Sequence, residues 1–225
     1  MVALDWDWAF TWMTLPMLLS AAKVTLLATL LGSVLAIFFG LVFALLRRNN
    51  HKSIRLTSYW VVEFIRSTPL LVQIFFLYYV MPEFGVSMSP LATGVFALGL
   101  HYGAYLSEVF RSGIEGIDKG QWEASRALNL SRFDTYRDVI LPQAIRPMIP
   151  ATGNYIIAMF KETPQLSAIT LLEMLQVAKI IGSENFRYLE PFTMVGILYL
   201  SFSLVAAYGI HLMEKRFPRE GINLQ

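Results

Sequence analysis

The chain has 225 residues, a formal net charge of +2 at pH 7, 56% hydrophobic residues and only 15% charged residues. Soluble domains carry about 25% charged residues, so this composition, with a mean hydropathy of +0.53, excludes an ordinary soluble protein. The absence of cysteine from the sequence also excludes disulfides, thiolate metal ligands and a thiol nucleophile.

Apolar runs of about 20 residues recur along the chain, which predicts an all-α, polytopic membrane protein. Residues 1–22 form the expected extracytoplasmic N-terminus, with an amphipathic interfacial helix from Trp6 to Ser20, because tryptophan suits that depth. No basic residue precedes Lys23, so we do not expect a cleaved secretory signal. About five transmembrane spans follow, near residues 24–46, 56–81, 90–111, 142–164 and 191–213.

Lysine and arginine fall mainly on one side of the predicted spans. Five lie in residues 47–66, six in residues 111–146 and three near the C-terminus, which is 14 of the 18. The opposite loops carry only Lys179 and Arg187. The positive-inside rule therefore predicts that the basic-rich side is cytoplasmic. The N-terminus is then outside, and residues 217–225 form a cytoplasmic tail.

A polar segment from Gln121 to Pro142 interrupts this apolar chain on the predicted cytoplasmic side. Its first helix is expected to end at Asn129, since asparagine tolerates the left-handed cap conformation. Ser131, with Asp134 three residues later, favours the start of a second helix. Pro142 suits the first turn of the fourth span, where a missing N–H group does no harm. The segment is therefore predicted to be a helical hairpin.

A spaced motif lies within this hairpin: Glu123-Ala124-Ser125, three residues, Asn129, nine residues, then Val139-Ile140-Leu141-Pro142. It resembles the EAA loop of ATP-binding-cassette (ABC) importer permeases, which reads E-A-A, three residues, G, nine residues, I-x-L-P. Ser125, Asn129 and Val139 depart from that pattern, and Asn129 can serve the same cap as glycine. The resemblance implies that residues 121–142 couple the chain to an ATPase subunit. The implied coupling residues are Gln121, Glu123, Ala124, Ser125, Asn129, Leu141 and Pro142.

Other stretches narrow the resemblance. Residues 63–73 read E-F-I-R-S-T-P-L-L-V-Q and residues 105–121 lead into the hairpin; both resemble segments of polar amino-acid permeases. Residues 161–166, K-E-T-P-Q-L, together with residues 99–102 and 187–191, look like the permease of ectoine and hydroxyectoine importers. The resemblance extends from Lys23 to Arg216. It implies the MetI-like core of a type I ABC importer permease.

The family resemblance also implies a function and an assembly. Residues 23–216 would form the permease domain of a bacterial inner-membrane importer for polar amino acids or amino-acid-derived compatible solutes, with ectoine and hydroxyectoine favoured. The implied partners are an ABC ATPase subunit dimer, a second permease subunit or a second copy of this chain, and an extracytoplasmic solute-binding protein. No nucleic-acid partner is expected.

The sequence contains no Walker phosphate-binding motif, zinc-ligand spacing or nucleophile elbow. We therefore expect no catalytic residue, metal or cofactor in this chain. By the same resemblance, ATP and magnesium would be held by the partner ATPase subunit, so the chain itself is not expected to be an enzyme.

Charged and polar residues within the spans are candidates for a substrate pathway, because their burial in a membrane is costly. Pro164 disfavours helix at Thr163, and transporter sites often use such breaks. Glu162 then faces the pathway, or alternatively lies among headgroups at the outer end of the span. His101 is either a pathway residue or a hydrogen-bonded packing residue. The candidate pathway residues are Lys161, Glu162, Thr163, Gln73, His101 and Tyr105.

Two acid–base pairs have i, i+3 spacing near predicted cytoplasmic ends of helices and are expected to be structural. These ion pairs are Glu63 with Arg66 and Glu108 with Arg111. Gly99 and Gly103 form a GxxxG spacing, which permits close contact between helices. The amphipathic run at residues 168–181 is too short and too charged to span, so it either lies at the outer surface or folds back as a gate.

Two other classes of protein are alternatives to the importer. A stand-alone secondary transporter or channel would need internal repeats or an ion relay, and neither is clear in the sequence. An intramembrane enzyme would need a catalytic constellation, and none is found. Co-purification with an ATPase subunit separates the importer from both alternatives.

Overall fold

The structure is a computed structural model that describes residues 5–216, and every regular element in that range is a helix, which confirms the all-α prediction. The predicted tail at residues 217–225 lies outside the described residues. The helices are α1 (Trp8–Arg47), α2 (Lys52–Ser67), α3 (Leu70–Phe75), α4 (Pro90–Glu115), α5 (Lys119–Ala127), α6 (Arg132–Asp134), α7 (Leu141–Glu162), α8 (Met174–Asn185) and α9 (Leu189–Arg216). Helical turns of other types extend these elements: π-helical turns at Phe76–Val80 and Thr135–Ile140, and 3₁₀ turns at Met81–Phe84 and Thr163–Ile169.

The first helix joins two segments that the sequence predicts as separate elements. The predicted interfacial segment, from Trp8 onward, and the first span both lie in α1. Its first turn is capped by the Asp7 carboxylate, which accepts from the Phe10 N–H group at 3.0 Å. Its 40 residues correspond to about 60 Å. That is about twice the hydrocarbon thickness of a bilayer, so part of α1 extends beyond the membrane core.

The predicted second span is wrong as a continuous helix. The structure breaks it between α2 and α3, and the helical segments on the two sides of the break differ in direction by 102°. Thr68 has φ −104° and ψ 137°, which is extended rather than helical. Pro69 follows it, and the proline ring clashes with a helical conformation at the preceding residue. The restriction that a proline places on the preceding residue, expected above for Thr163 before Pro164, therefore explains the break at Thr68.

Helices α1 and α4 pack closely along their length, and glycines permit this contact. A Cβ atom at Gly99 would lie 2.5 Å from Cβ of Leu35, and one at Gly103 would lie 2.6 Å from Cβ of Phe39. Lipid tails are as apolar as the helices, so the hydrophobic effect does not drive membrane helices together. They associate by close packing, which small residues permit. The GxxxG spacing thus serves a contact within this chain.

The segment after α7 is packed rather than lying free at a surface. Helix α8 contacts α1 and α9, and Met174, Ala178 and Ile181 on it are buried. Glu173 caps its first turn, accepting from the N–H groups of Leu175 at 2.9 Å and Gln176 at 2.7 Å. Sequence reasoning missed this role because Glu173 looks like a solvated charge in an outer loop.

By length and composition, two helices of the described residues can cross a membrane, Trp8–Arg47 and Leu189–Lys215. Two bent pairs would add a span each if each pair is one span, residues 52–67 with 70–84 and residues 132–169 with 174–185. Helix α4, the predicted third span, is less apolar, because His101 and two tyrosines lie in its middle.

Candidate functional site

The first arm of the hairpin, α5, begins and ends with local hydrogen bonds. The Asp118 carboxylate accepts from the Gly120 N–H group at 2.6 Å. At the other end, Asn129 has φ +52°, and the Leu130 N–H group donates to the Ser125 carbonyl at 3.1 Å. This pattern is a Schellman motif, in which a residue in the left-handed conformation ends a helix. Asn129 therefore occupies the cap position expected of it.

The second arm is continuous with the fourth predicted span. Ser131 caps it, accepting from the Asp134 N–H group at 3.2 Å, and helix then runs from Arg132 through Pro142 to Glu162. Helix α7 begins at Leu141 and Pro142 lies in its first turn, as predicted, although the helical turns of the hairpin run into it without a break. A π-helical turn at Thr135–Ile140 directly precedes α7, and it disrupts the regular hydrogen-bond ladder just before Pro142, which has no N–H group to contribute to that ladder.

Side chains join the two arms of the hairpin. Trp122 and Tyr136 pack edge to face with ring centroids 5.4 Å apart. The Gln143 side-chain amide donates to the Gln121 side-chain oxygen at 3.1 Å. Ser125 is buried, and its hydroxyl donates to the Gln121 carbonyl at 2.8 Å. The hairpin is thus a braced unit rather than two independent helices.

The implied coupling residues divide into exposed and buried groups. Ser125 lies inside the hairpin, whereas the others are exposed: Gln121, Glu123, Ala124, Asn129, Leu141 and Pro142. Two large apolar side chains near the turn are also exposed, Leu128 at 73% and Phe133 at 70%. These two were not among the predicted coupling residues. Their signal in the sequence is weak, because isolated apolar residues in a polar loop are common.

A cavity of about 560 Å³ lies at the break between α2 and α3. Three of the candidate pathway residues line it: His101 and Tyr105 from α4, and Glu162 at the end of α7. The remaining lining comes from Gln165 and from the broken segment itself, Arg66, Ser67, Thr68, Pro69, Leu70 and Leu71. The break in the second span therefore opens a polar space beside α4.

Gln73 stabilises the break. Its side-chain amide donates to the Ile65 carbonyl at 2.7 Å and to the Thr68 hydroxyl at 2.8 Å, and its oxygen lies 3.3 Å from Nδ1 of His101. The last carbonyls of a helix have no intrahelical partner and need one elsewhere. Gln73 supplies that partner for α2 and at the same time orients the imidazole of His101.

The structure does not bring Lys161 and Thr163 into this cavity. Lys161 is exposed, and Thr163 is buried on another side of the helix end, where its hydroxyl lies 3.0 Å from that of Tyr199. The segment from Thr163 is a 3₁₀ turn rather than unwound backbone. The three consecutive residues thus point in different directions, and only Glu162 reaches the cavity.

Glu108 is the centre of an ion-pair network at one end of the helices. It pairs with Arg111 at 2.8 Å, with Arg66 at 3.3 Å and with Arg47 of α1, whose side chain is only 8% exposed. Arg66 also pairs with Glu63 at 3.1 Å, so both expected i, i+3 pairs are present. Sequence spacing does not identify Arg47 as a partner, because it lies 61 residues from Glu108.

The network also reaches the hairpin. Arg48 donates to the Tyr136 hydroxyl at 3.0 Å, and Tyr136 is the residue that packs on Trp122. Among residues 5–216 no group of three or more His, Asp or Glu residues is placed to hold a metal ion. The polar residues of the site are therefore arranged as hydrogen-bonded and ion-paired groups.

Comparison with known proteins agrees with this architecture. Residues 36–219 match the family described as "Binding-protein-dependent transport system inner membrane component". The chain is 45% identical over 217 residues to the "Probable amino-acid ABC transporter permease protein y4tG" of Sinorhizobium fredii strain NGR234, covering 96% of this chain and 94% of that protein.

Solved structures give the same result for the fold. The "Crystal structure of an amino acid ABC transporter with histidines" superposes with a TM-score of 0.89 at 34% identity, covering 95% of this chain and 100% of that chain. The inward-facing MetNI methionine ABC transporter has a TM-score of 0.77 at 17% identity, over 92% and 98% of the two chains, and supports the MetI-like fold alone. The chain belongs to the family of inner membrane components of binding-protein-dependent transport systems.

Proposed function

We propose that this chain is the permease subunit of an ABC importer for polar amino acids or amino-acid-derived zwitterions, with ectoine and hydroxyectoine as the favoured solutes. The observation that carries the substrate class is the cavity at the break between α2 and α3. Arg66 and Glu162, of opposite charge, both line it. A zwitterion offers a carboxylate to the first and a cationic group to the second.

Two orphaned atoms support this assignment. Nε of Arg66 and Oε2 of Glu162 are buried and have no hydrogen-bond partner among the described residues. Buried polar atoms without partners are rare and costly, and a ligand is one way to satisfy them. Tyr105 lines the same cavity, and the Arg66 guanidinium sits 5.2 Å from its ring centroid. An aromatic ring also suits the delocalised cation of an ectoine.

The choice of ectoine over an amino acid rests on the sequence of residues 161–166, in which Pro164 and Gln165 lie two and three residues after Glu162. Gln165 lines the cavity. The similar proteins are named amino-acid transporters, which supports the broader class. Calorimetry on the partner solute-binding protein, comparing ectoine and hydroxyectoine with polar amino acids, decides between the two.

Coupling to an ATPase subunit dimer is proposed to occur through the hairpin. Glu123, Leu128 and Phe133 are exposed on it, and its second arm is continuous with α7 up to Glu162. Arg132 to Glu162 spans about 45 Å of helix. A displacement of the hairpin by nucleotide-driven closure of the ATPase would therefore be transmitted to a residue that lines the cavity.

The proposed assembly contains a second permease subunit, either homologous or another copy, together with ATP and magnesium on the ATPase and a solute-binding protein outside. The N-terminus is then extracytoplasmic and the C-terminus cytoplasmic, as the distribution of basic residues indicates. The whole chain lies in the bacterial inner membrane in this arrangement.

Reconstitution tests the function directly. Proteoliposomes containing the permease, the ATPase and the binding protein should accumulate solute only when ATP is present on the ATPase side. Accumulation by the permease alone would contradict the proposal. Glu123→Lys should weaken co-purification of the ATPase, whereas Lys215→Glu at the end of α9 should not. Equal retention of the ATPase in both variants would show that the hairpin is not part of the interface with the ATPase.

A further inference from the structure

A second cavity, of about 380 Å³, lies between the C-terminal end of α1, the first turns of α2 and the C-terminal end of α4. We call it the basic cleft. Four basic residues line it, Arg47, Lys52, Arg55 and Arg111, against one carboxylate, Glu115. It is separate from the cavity at the α2–α3 break, with which it shares no lining residue.

The positive charge of the basic cleft is only partly neutralised inside the protein. Arg47 and Arg111 share Glu108, and Arg111 also pairs with Glu115. The side chains of Lys52 and Arg55 make no hydrogen bond or ion pair with any residue in the range 5–216, although the Arg55 backbone N–H group donates to the His51 carbonyl at 3.1 Å. A concave surface lined by one sign of charge concentrates the opposite ion. The cleft is therefore suited to an anion.

The start of α2 adds to this preference. His51 precedes its first turn without providing a side-chain cap, and no acidic residue lies in that turn. The N–H groups at the start of a helix carry partial positive charge and favour a phosphate. Lys52 belongs to the same turn, so backbone and side-chain donors lie on the same element.

Apolar residues of α2 lie at one end of the basic cleft. Leu56 lines the cleft and is 50% exposed, and Trp60, one turn further along, is 64% exposed. Tyr59 lies between them in sequence. The Arg47 guanidinium stacks over its ring, 5.4 Å from the ring centroid. Aromatic residues are enriched at the boundary between headgroups and acyl chains. A ligand here would meet cations at one end and an apolar surface at the other.

We propose that the basic cleft binds the headgroup phosphate of an anionic phospholipid from the cytoplasmic leaflet. The apolar surface at Leu56 and Trp60 favours a lipid over free phosphate, which has no apolar part. Basic pockets between membrane helices on the cytoplasmic side are known to hold such headgroups. The inference is independent of which solute the protein transports. Because Arg47 and Arg111 also bind Glu108, the lipid phosphate would compete with that carboxylate within the ion-pair network.

The test uses the assembled complex of permease and ATPase, purified in mild detergent and washed to remove loosely bound lipid. Lipid extraction and mass spectrometry then quantify the phospholipid classes retained by each variant. The wild-type complex should retain anionic phospholipid in preference to phosphatidylcholine. Lys52→Gln combined with Arg55→Gln should reduce retention about tenfold or more, since each basic residue contributes to attraction of an anionic headgroup.

Two controls keep the test specific. Lys215→Gln with Arg216→Gln removes the same charge from the end of α9 and should leave retention unchanged. Lys52→Arg with Arg55→Lys preserves the charge and should retain the lipid, which separates loss of binding from loss of folding. Equal retention by wild type and the first double variant overturns the proposal, as does equal loss in the α9 control. Binding of inorganic phosphate with no retained anionic lipid overturns the assignment to a phospholipid.

Discussion

Arg66 donates a hydrogen bond to Glu108 across 3.3 Å, although the two residues lie 42 positions apart on α2 and α4. The same arginine lines the cavity at the α2–α3 break. Glu108 in turn binds Arg47 and Arg111, so one carboxylate connects three helices. Arg66 therefore connects this ion-pair network to the cavity.

Replacing Glu108 with Gln should destabilise the protein by about 1–3 kcal/mol, because three arginines lose a shared charge partner whose side chain is 25% exposed. Glu115→Gln provides the matched control, since that carboxylate is 47% exposed and its pairs are worth about 0–1 kcal/mol. Thermal unfolding of the purified complex measures both. Identical unfolding temperatures for the two variants would show that Glu108 does not hold the helices together.

Gly103→Ala should destabilise the contact between α1 and α4. The added Cβ would lie 2.6 Å from Cβ of Phe39, and overpacking of this kind costs about 1–3 kcal/mol. Gly196→Ala in α9 is the control, because no atom lies within 4 Å of its Cβ position. That control should be neutral or slightly stabilising, since alanine favours helix over glycine. A lower unfolding temperature for Gly196→Ala than for Gly103→Ala would contradict the packing argument.

Asn129→Gly should preserve the hairpin and Asn129→Val should weaken it. The residue has φ +52°, a conformation that glycine adopts freely and a β-branched residue adopts at a cost of about 1–2 kcal/mol. Hydrogen exchange of the Leu130 amide, which donates to the Ser125 carbonyl, reports on the cap directly. Equal exchange rates at that amide in the two variants would show that the left-handed residue does not limit the stability of the cap.

Glu162→Gln should weaken uptake of a zwitterionic solute about tenfold or more, because it removes a charge-assisted contact in the cavity. Lys161→Gln, one residue earlier and exposed, should leave uptake nearly unchanged. Initial rates in proteoliposomes with the ATPase and the binding protein measure the apparent KM of each variant. A larger effect at Lys161 than at Glu162 would place the pathway on the other side of α7.

Features set by neighbouring residues were predictable from the sequence. The Asn129 and Ser131 caps, the i, i+3 ion pairs and the existence of the α9 helix all depend on groups within a few positions of each other. One such local expectation fails, the continuous second span, because Pro69 restricts Thr68 to an extended conformation.

Only the tertiary structure decided which distant groups meet. Gln73 reaches His101 because Pro69 redirects the chain, and Arg47 reaches Glu108 because the glycines of α4 let α1 approach closely. It also separated Glu162 from Lys161 and Thr163, which the sequence presents as one motif. The physical reason is that a cap or a helix-face pair is determined by local geometry, whereas a cavity requires backbone directions and helix packing that no single segment specifies.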